Sequence, residues 1–95
     1  MTLLENTYQL LREAGLVENA EAFSSTYLSK NRNWFSYQKH TGRDFSFDAA
    51  IQCLRSLRQR QAAPGLDVAQ RMALNLAERD LLRHLNEAHL VADVC

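Results

Sequence analysis

The chain has 95 residues, of which 46% are hydrophobic and 23% are charged, and its formal net charge is zero. This length and composition are typical of one globular domain and exclude a disordered or low-complexity chain. No apolar run approaches the roughly 20 residues that span a bilayer, and residues 1–6 lack the basic and apolar regions of a secretory signal.

Cysteine usage indicates a reducing setting. The two cysteines, Cys53 and Cys95, lie far apart, which is not the pattern of a disulfide-stabilised domain. We therefore expect a cytoplasmic protein. Cys53 lies on an apolar helical face, and this position predicts a structural thiol in the core in preference to a nucleophile.

Capping residues predict two helices in the first third of the chain. Thr2 and Glu5 have the spacing of a capping box, so a first helix is expected over about residues 3–14. Gly15 ends it, because glycine readily adopts the left-handed conformation at a helix C-terminus. A second, short helix is expected over residues 20–28, with aromatic side chains on one face.

Three further helices follow. Asn31 is a suitable N-cap for a third helix over about residues 32–40, and Ser46 caps a fourth. The segment 62–65 contains the one proline and is the clearest linker. A last, long helix is expected from Asp67 to about Ala92.

These elements predict an all-α domain of four or five helices that contains a helix-turn-helix and a long C-terminal helix. The chain is expected to form a single domain over residues 1–95, with a helix-turn-helix core over 1–61 and the C-terminal helix over 66–92. The side chains expected in its hydrophobic core are Leu4, Leu11, Phe23, Tyr27, Phe35, Phe47, Ile51, Leu54 and Leu81.

The charged residues are unevenly distributed. Residues 1–28 carry a net charge of −3, residues 29–60 carry seven bases against two acids for a net charge of +5, and residues 61–95 carry −2. A basic middle between acidic ends is one of the patterns that nucleic-acid binding produces. Solvated helix faces would give the same pattern.

Residues 22–47 place two short helices around a tight turn with a further helix behind them, which is the plan of a helix-turn-helix. The motifs of interest are Gly15 to Val17, Phe23 with Ser24, Tyr27 with Leu28, Asn31 to Lys39, and Gly42 with Arg43. With these motifs the chain resembles, over about residues 3–58, a group of short uncharacterised proteobacterial helix-turn-helix-like proteins of the Xre/Cro type. The turn of such a unit usually holds a left-handed glycine, where this chain has Ser29 and Lys30.

The resemblance implies that the third helix is a recognition helix for double-stranded DNA, with Phe35 facing inward. Arg32 and Asn33 would read base edges, because these side chain types make bidentate contacts to guanine and adenine. Lysine and arginine side chains around them would hold phosphates. The complete DNA-binding set implied is Lys30, Arg32, Asn33, Ser36, Tyr37, Lys39, His40 and Arg43. The implied function is transcription regulation.

Two alternatives stay open. Trp34, Phe35 and Tyr37 would suit base stacking in a single-strand or RNA binder, whereas aromatic side chains of a small domain more often belong to its core. A non-enzymatic protein-interaction module or adaptor, for example one of phage origin, would fit the zero net charge and the apolar C-terminal helix.

The sequence lacks the motifs of catalytic and metal sites. His84 and His89 are five residues apart and do not share a helix face, and no cysteine or carboxylate pattern completes a zinc site. A phosphate-binding glycine loop and a nucleophile elbow are also missing. We therefore expect no enzymatic activity, no cofactor, no metal and no small-molecule substrate.

The C-terminal helix has more apolar surface than one core requires. Leu74, Leu81 and Leu85 lie on one side of it, and Met72, Leu76 and Leu90 point to others. This surplus predicts a homodimer through the C-terminal helix, since two-fold dimers are the commonest oligomers. Such a dimer would hold two recognition helices at a fixed separation. A helix that breaks near Asp80 and folds back is the alternative.

Overall fold

The computed structural model describes residues 1–88, and the regular structure within this range is entirely helical. The elements are α1 (Leu3–Glu13), α2 (Ala20–Ala22), which continues directly as a π-helix (Phe23–Tyr27), α3 (Trp34–His40), α4 (Phe47–Ala62) and α5 (Val68–Ala88). The prediction of an all-α domain with a long C-terminal helix is confirmed. Residues 89–92 of the predicted last helix, and Leu90 with them, lie outside the described residues.

The predicted ends of α1 are confirmed by its hydrogen bonds. Thr2 and Glu5 form the complete capping box, in which each side chain accepts a backbone N–H of the other residue. Gly15 follows the helix with a φ of 76°. The next amide, that of Leu16, donates to the Leu11 carbonyl at 2.9 Å, so the helix ends in a Schellman motif that directs the chain back towards the core.

The second helix differs from the α-helix that its sequence predicts. Asn19 caps its start by accepting the Ala22 amide at 2.8 Å, but from Phe23 to Tyr27 the helix widens into a π-helix. Ser24 and its neighbour Ser25 donate their hydroxyls to the carbonyls four residues back, which an α-helix uses for its own amides. The widened stretch buries Phe23, Ser24 and Tyr27.

The long helix α5 lies against both α4 and α1, and all three share one core. It continues past Asp80 without a break, so the folded-back alternative is wrong for the described residues. Its inner face is made by Leu74, Ala77 and Leu81, which are almost completely buried. Leu81 is therefore a core residue of its own chain. No helix within residues 1–88 combines the length and apolar character needed to cross a membrane.

The prediction of a buried core position is wrong for two residues, Phe47 and Ile51. The side chain of Phe47 is 52% exposed and Ile51 is only partly buried, whereas Phe45, in the loop before α4, is buried. The buried side of α4 combines two leucines, Leu54 and Leu57, with four small side chains, those of Ala49, Ala50, Cys53 and Ser56. Small residues let α4 approach its neighbours closely, which turns the larger Phe47 and Ile51 to the edge of the contact.

Candidate nucleic-acid interface

Helix α3 and its two flanking turns carry the residues that the sequence marks as a DNA site. Arg32 and Asn33 lie in the turn that leads into the helix, and Arg43 lies just beyond its end. Seven of the eight expected residues are exposed: Arg32, Asn33, Ser36, Tyr37, Lys39, His40 and Arg43. The structure thus brings them together on one helix and the turns at its two ends.

The opposite face of α3 is fixed to the core. The ring of Phe35 lies edge-on to that of Phe23, with 5.4 Å between the ring centroids, and 4.7 Å from that of Tyr8. The Phe35 amide donates to the hydroxyl of Ser24 at 3.0 Å, inside the core. One turn further on, the side chain amide of Gln38 is buried. The buried contacts of Phe35 and Gln38 therefore determine which side of α3 faces the solvent.

The turn before α3 is longer than the sequence predicts. The helix begins at Trp34, two residues after the expected start, and six residues separate it from the π-helix, against three or four in a standard helix-turn-helix. The prediction that Asn31 is the N-cap of this helix is wrong, because the cap position is Asn33; the Asn31 side chain oxygen instead accepts the Asn33 amide at 2.8 Å within the turn. Arg32 and Asn33 consequently lie in a turn that is held by Asn31, and not in the helix itself.

Ser29 occupies the left-handed position of this turn, with a φ of 53°. This is the conformation for which a helix-turn-helix usually has glycine, and a residue with a β-carbon adopts it at a cost of about 1–2 kcal/mol. The following amide, that of Lys30, donates to the Ser24 carbonyl at 2.9 Å, and the chain is thereby turned back onto the π-helix. Ser24 thus contacts both ends of the turn, through its carbonyl and through its hydroxyl.

Lys30 differs from the other basic residues of the set. Its ammonium forms an ion pair with the carboxylate of Asp48 at 2.6 Å and lies 5.7 Å from the centre of the Trp34 ring. The hydrogen bond from Lys30, with a second from Ser46, lowers the pKa of Asp48 to about 2. This pair could not be predicted from local sequence, because the two residues are separated by 18 positions.

The remaining positive charge of this surface belongs to Arg32, Lys39 and Arg43. In the part of the chain that the structure describes, none of the ion pairs involves these three side chains. Asp44 follows Arg43 directly, but both of its carboxylate oxygens accept backbone amides at the start of α1. We call this surface, comprising Arg32, Asn33, Ser36, Tyr37, Lys39, His40 and Arg43, the α3 face.

The aromatic residues near α3 have different environments. Phe35 is buried and cannot stack on a base, and Trp34 is half-buried beside Lys30. Tyr37 is exposed on the α3 face. The alternative prediction, in which Trp34, Phe35 and Tyr37 stack on bases, is therefore wrong for Phe35, because its ring belongs to the core.

Outside this surface, the described residues include one thiol, that of Cys53, and one imidazole, that of His84. Cys53 is completely buried, and burial raises the pKa of its thiol to about 12. His84 lies against the ring of Phe45, and His89 is outside the described residues. Within residues 1–88, no three side chains of His, Cys, Asp or Glu are grouped closely enough to bind a metal ion.

The fold and this surface together define an all-helical domain in which a short helix and its two flanking turns expose three basic side chains. The chain belongs to DUF6626, a family of unknown function, whose model matches residues 4–94. No curated protein and no solved structure matches it. Because the family has no assigned activity, the helix-turn-helix resemblance and the DNA site that it implies stay predictions.

Proposed function

We propose that this protein binds double-stranded DNA through the α3 face, as a cytoplasmic transcription regulator that acts as a homodimer through α5. The proposal rests on the solvent exposure and the ion pairing of three basic side chains, those of Arg32, Lys39 and Arg43. Lys39 lies on the exposed side of α3 and Arg32 and Arg43 lie in the exposed turns at its two ends, and none of the three has an ion-pair partner among the described residues. Such cations are free to replace the counterions of a phosphate backbone.

The two ends of the α3 face suit different parts of a duplex. Arg32 and Asn33 precede the first turn of α3, and residues at the start of a recognition helix are those that reach base edges in the major groove. Lys39 and Arg43 lie at the other end and would hold phosphates, which fixes orientation without reading sequence. Lys30 would contribute least, because its ammonium is already paired with Asp48.

Fluorescence anisotropy with labelled genomic fragments, followed by short duplexes from any fragment that binds, tests the proposal. Lys39 and Arg43 of both chains give four phosphate contacts per dimer, so log K should fall with log salt concentration with a slope of about −3.6, since each contact contributes about −0.9. Arg32→Ala should cost about 1–3 kcal/mol and relax sequence preference, whereas Lys39→Ala should weaken binding to all sequences alike. Arg71→Ala, an exposed cation on α5, is the matched control and should bind as the unaltered protein does.

The absence of any complex at low salt would end this proposal. Equal losses for Lys39→Ala and Arg71→Ala would also count against it, because they would show attraction by overall charge and not by the α3 face. A complex that survives high salt would indicate an apolar interface instead of a phosphate contact.

A protein-interaction module is the second candidate, and a different surface favours it. Phe47 and the partly buried Ile51 lie one turn apart at the start of α4 and line an open groove with Lys30, Asp48 and Arg55. A large apolar side chain within a charged rim is typical of protein-binding surfaces. Phe47→Ser would abolish partner binding in this case and leave any DNA affinity unchanged.

A further inference from the structure

Helices α1 and α5 run antiparallel, with Leu3 near Asp80 and Glu13 near Ala69, and leave an open groove between them. Leu10 of α1 and Leu76 of α5 line its middle. Towards one end the groove passes Glu13, Ala69 and Met72, and towards the other it passes Leu3, Arg79 and Asp80. We call the surface formed by Leu10, Glu13, Val68, Ala69, Met72, Leu76 and Arg79 the α1/α5 face.

The apolar part of this face is solvent-exposed in the single chain. Val68, Met72 and Leu76 are 73%, 59% and 37% exposed. They follow one another at intervals of four residues and therefore form a stripe along the outer side of α5. The inner side already fills the core of its own chain through Leu74 and Leu81, which are fully buried. The outer stripe is thus apolar surface that the fold itself does not use.

The charges of the α1/α5 face are separated along its length. Glu13 lies at the end beside Ala69, and Arg79 lies beyond Leu76 at the other end. Ten residues of α5 separate Ala69 from Arg79, which is about 15 Å of helix, so Glu13 and Arg79 of one chain cannot pair with each other. Arg79 contacts Asp80 at 3.5 Å, but this pair is exposed and of little energetic value.

We infer that the α1/α5 face binds the same face of a second copy, with the two α5 helices antiparallel about a two-fold axis that passes between Met72 and Leu76. This axis places each Met72 against the Leu76 of the second copy. It also places each Arg79 opposite Ala69 of the second copy, and hence beside its Glu13. The inference rests on the homodimer included in the proposed function, and it is independent of the DNA site.

The arrangement of charge selects a second copy over another kind of partner. A two-fold axis makes each end of the face meet the opposite end of its mate, so the Glu13 of each copy lies beside the Arg79 of the other and competes for it with the exposed contact from Asp80. If the two α5 helices packed in parallel, each Glu13 would instead lie near the other Glu13, and each Arg79 near the other Arg79. The same rotation also sets the α5 helix dipoles antiparallel.

The size of the face sets the expected strength. From Val68 to Arg79 the face is about 17 Å long, and at one to two helices wide it covers roughly 170–340 Å². A standard interface buries about 800 Å² on each partner. The face is less than half of this size, so the dimer is expected to be weak, with a Kd of about 0.1–1 mM, and sedimentation should cover about 1 µM to 1 mM chain.

Met72 provides the first test. Met72→Glu should give a monomer over the whole range, because it places a carboxylate on each side of the axis and opposite an apolar side chain. Met72→Leu keeps the apolar volume and should still dimerise. Both variants should keep the helical circular dichroism signal and Tm of the unaltered chain, since the side chain is exposed in the monomer.

A charge exchange tests the register. Glu13→Arg and Arg79→Glu should each weaken the dimer about tenfold, because each creates two like-charge pairs. The double variant should regain most of the lost affinity, and the rescue should fade in high salt. Positions 13 and 79 of one chain are too far apart to pair, so a regained affinity can come only from pairs between the two chains.

Three outcomes would overturn the inference. They are a monomer mass at every concentration, a dimer that Met72→Glu leaves intact, and a double charge exchange without rescue. Anisotropy with DNA on the same samples separates the two proposals. A monomer that binds duplex through Arg32 would refute only the dimer, whereas a dimer of the stated register without DNA affinity would refute only the DNA site.

Discussion

The carboxylate of Asp44 caps the first helix of the chain from a loop 40 residues away. One of its oxygens accepts the Leu4 amide at 2.8 Å and the other accepts the Leu3 amide at 3.2 Å. Thr2 and Glu5 satisfy the two neighbouring amides by their capping box. The four free amides at the start of α1 therefore all have acceptors, and two of them are supplied by the loop that connects α3 to α4.

Replacing Asp44 should destabilise the whole domain. Asp44→Ala removes both long-range bonds and should lower the free energy of unfolding by about 1–2 kcal/mol, as the loss of a helix cap does. Asp44→Asn keeps one oxygen acceptor and should lose less. Urea unfolding followed by circular dichroism at 222 nm measures both variants. Equal stability of Asp44→Ala and the unaltered chain would show that the cap contributes nothing.

Phe35 and Tyr37 lie two residues apart on α3 and should respond oppositely to truncation. Phe35→Ala removes a buried ring and should cost about 3–5 kcal/mol, a large part of the stability of a small domain. Tyr37→Ala removes an exposed ring and should change stability by less than about 0.5 kcal/mol. Thermal unfolding of the two proteins gives the comparison. Equal losses in Tm would contradict the burial of Phe35.

Ser29 should tolerate glycine better than a branched side chain. Ser29→Gly relieves the left-handed strain but makes the unfolded chain more flexible, so the net gain should lie between zero and about 1 kcal/mol. Ser29→Val should lose about 1–2 kcal/mol, since a branched residue fits this conformation poorly. Ser36→Val, at an exposed helical position, is the control and should be nearly neutral. A destabilised glycine variant would refute the assigned turn geometry.

The ion pair of Lys30 with Asp48 predicts a specific titration. The pKa of the Asp48 carboxyl should be about 2 instead of the ordinary 3.8, first because Lys30 donates a hydrogen bond to it and second because Ser46 does. Lys30→Met removes the first cause and should raise the pKa towards 3.8. Carboxyl ¹³C chemical shifts measured between pH 1.5 and 6 follow the titration directly.

The sign of the pH dependence follows from this lowered pKa. A carboxyl whose pKa is lower in the folded chain stabilises it above the unfolded pKa and loses that contribution as pH falls. For Asp48 the loss should occur between pH 3.8 and about 2. It should be small, because the side chain is 72% exposed and solvent screens the pair. An unshifted pKa in the unaltered protein would show that the pair does not form in solution.

Signals confined to a few neighbouring residues correctly predicted the starts of α1, α4 and α5. The capping box of Thr2 with Glu5 and the glycine after α1 act over three to five residues, and a sequence displays such relations directly. Asp67 likewise caps α5 by accepting the Gln70 amide at 2.7 Å. The α3 face was also found in this way, because helix periodicity alone separates Phe35 from its exposed neighbours.

Relations between distant parts of the chain could not be predicted. Nothing near Asp44 marks it as the cap of α1, and nothing near Lys30 marks Asp48 as its partner. Phe47 has the spacing of a core residue, yet the small residues of α4 determine which side of that helix is buried. The late start of α3 has a similar cause, since the Ser24 carbonyl holds the preceding turn.

The buried thiol of Cys53 makes the opening of this core measurable by chemistry. Alkylating reagents react with a thiolate, and both the burial of Cys53 and its raised pKa suppress that reaction in the closed chain. Once Cys95 is replaced by serine, modification at neutral pH should report only molecules whose core has opened. At low reagent concentration the rate of Cys53 alkylation then gives the equilibrium constant between the open and closed forms. At high reagent concentration the alkylation rate equals the rate at which the core opens.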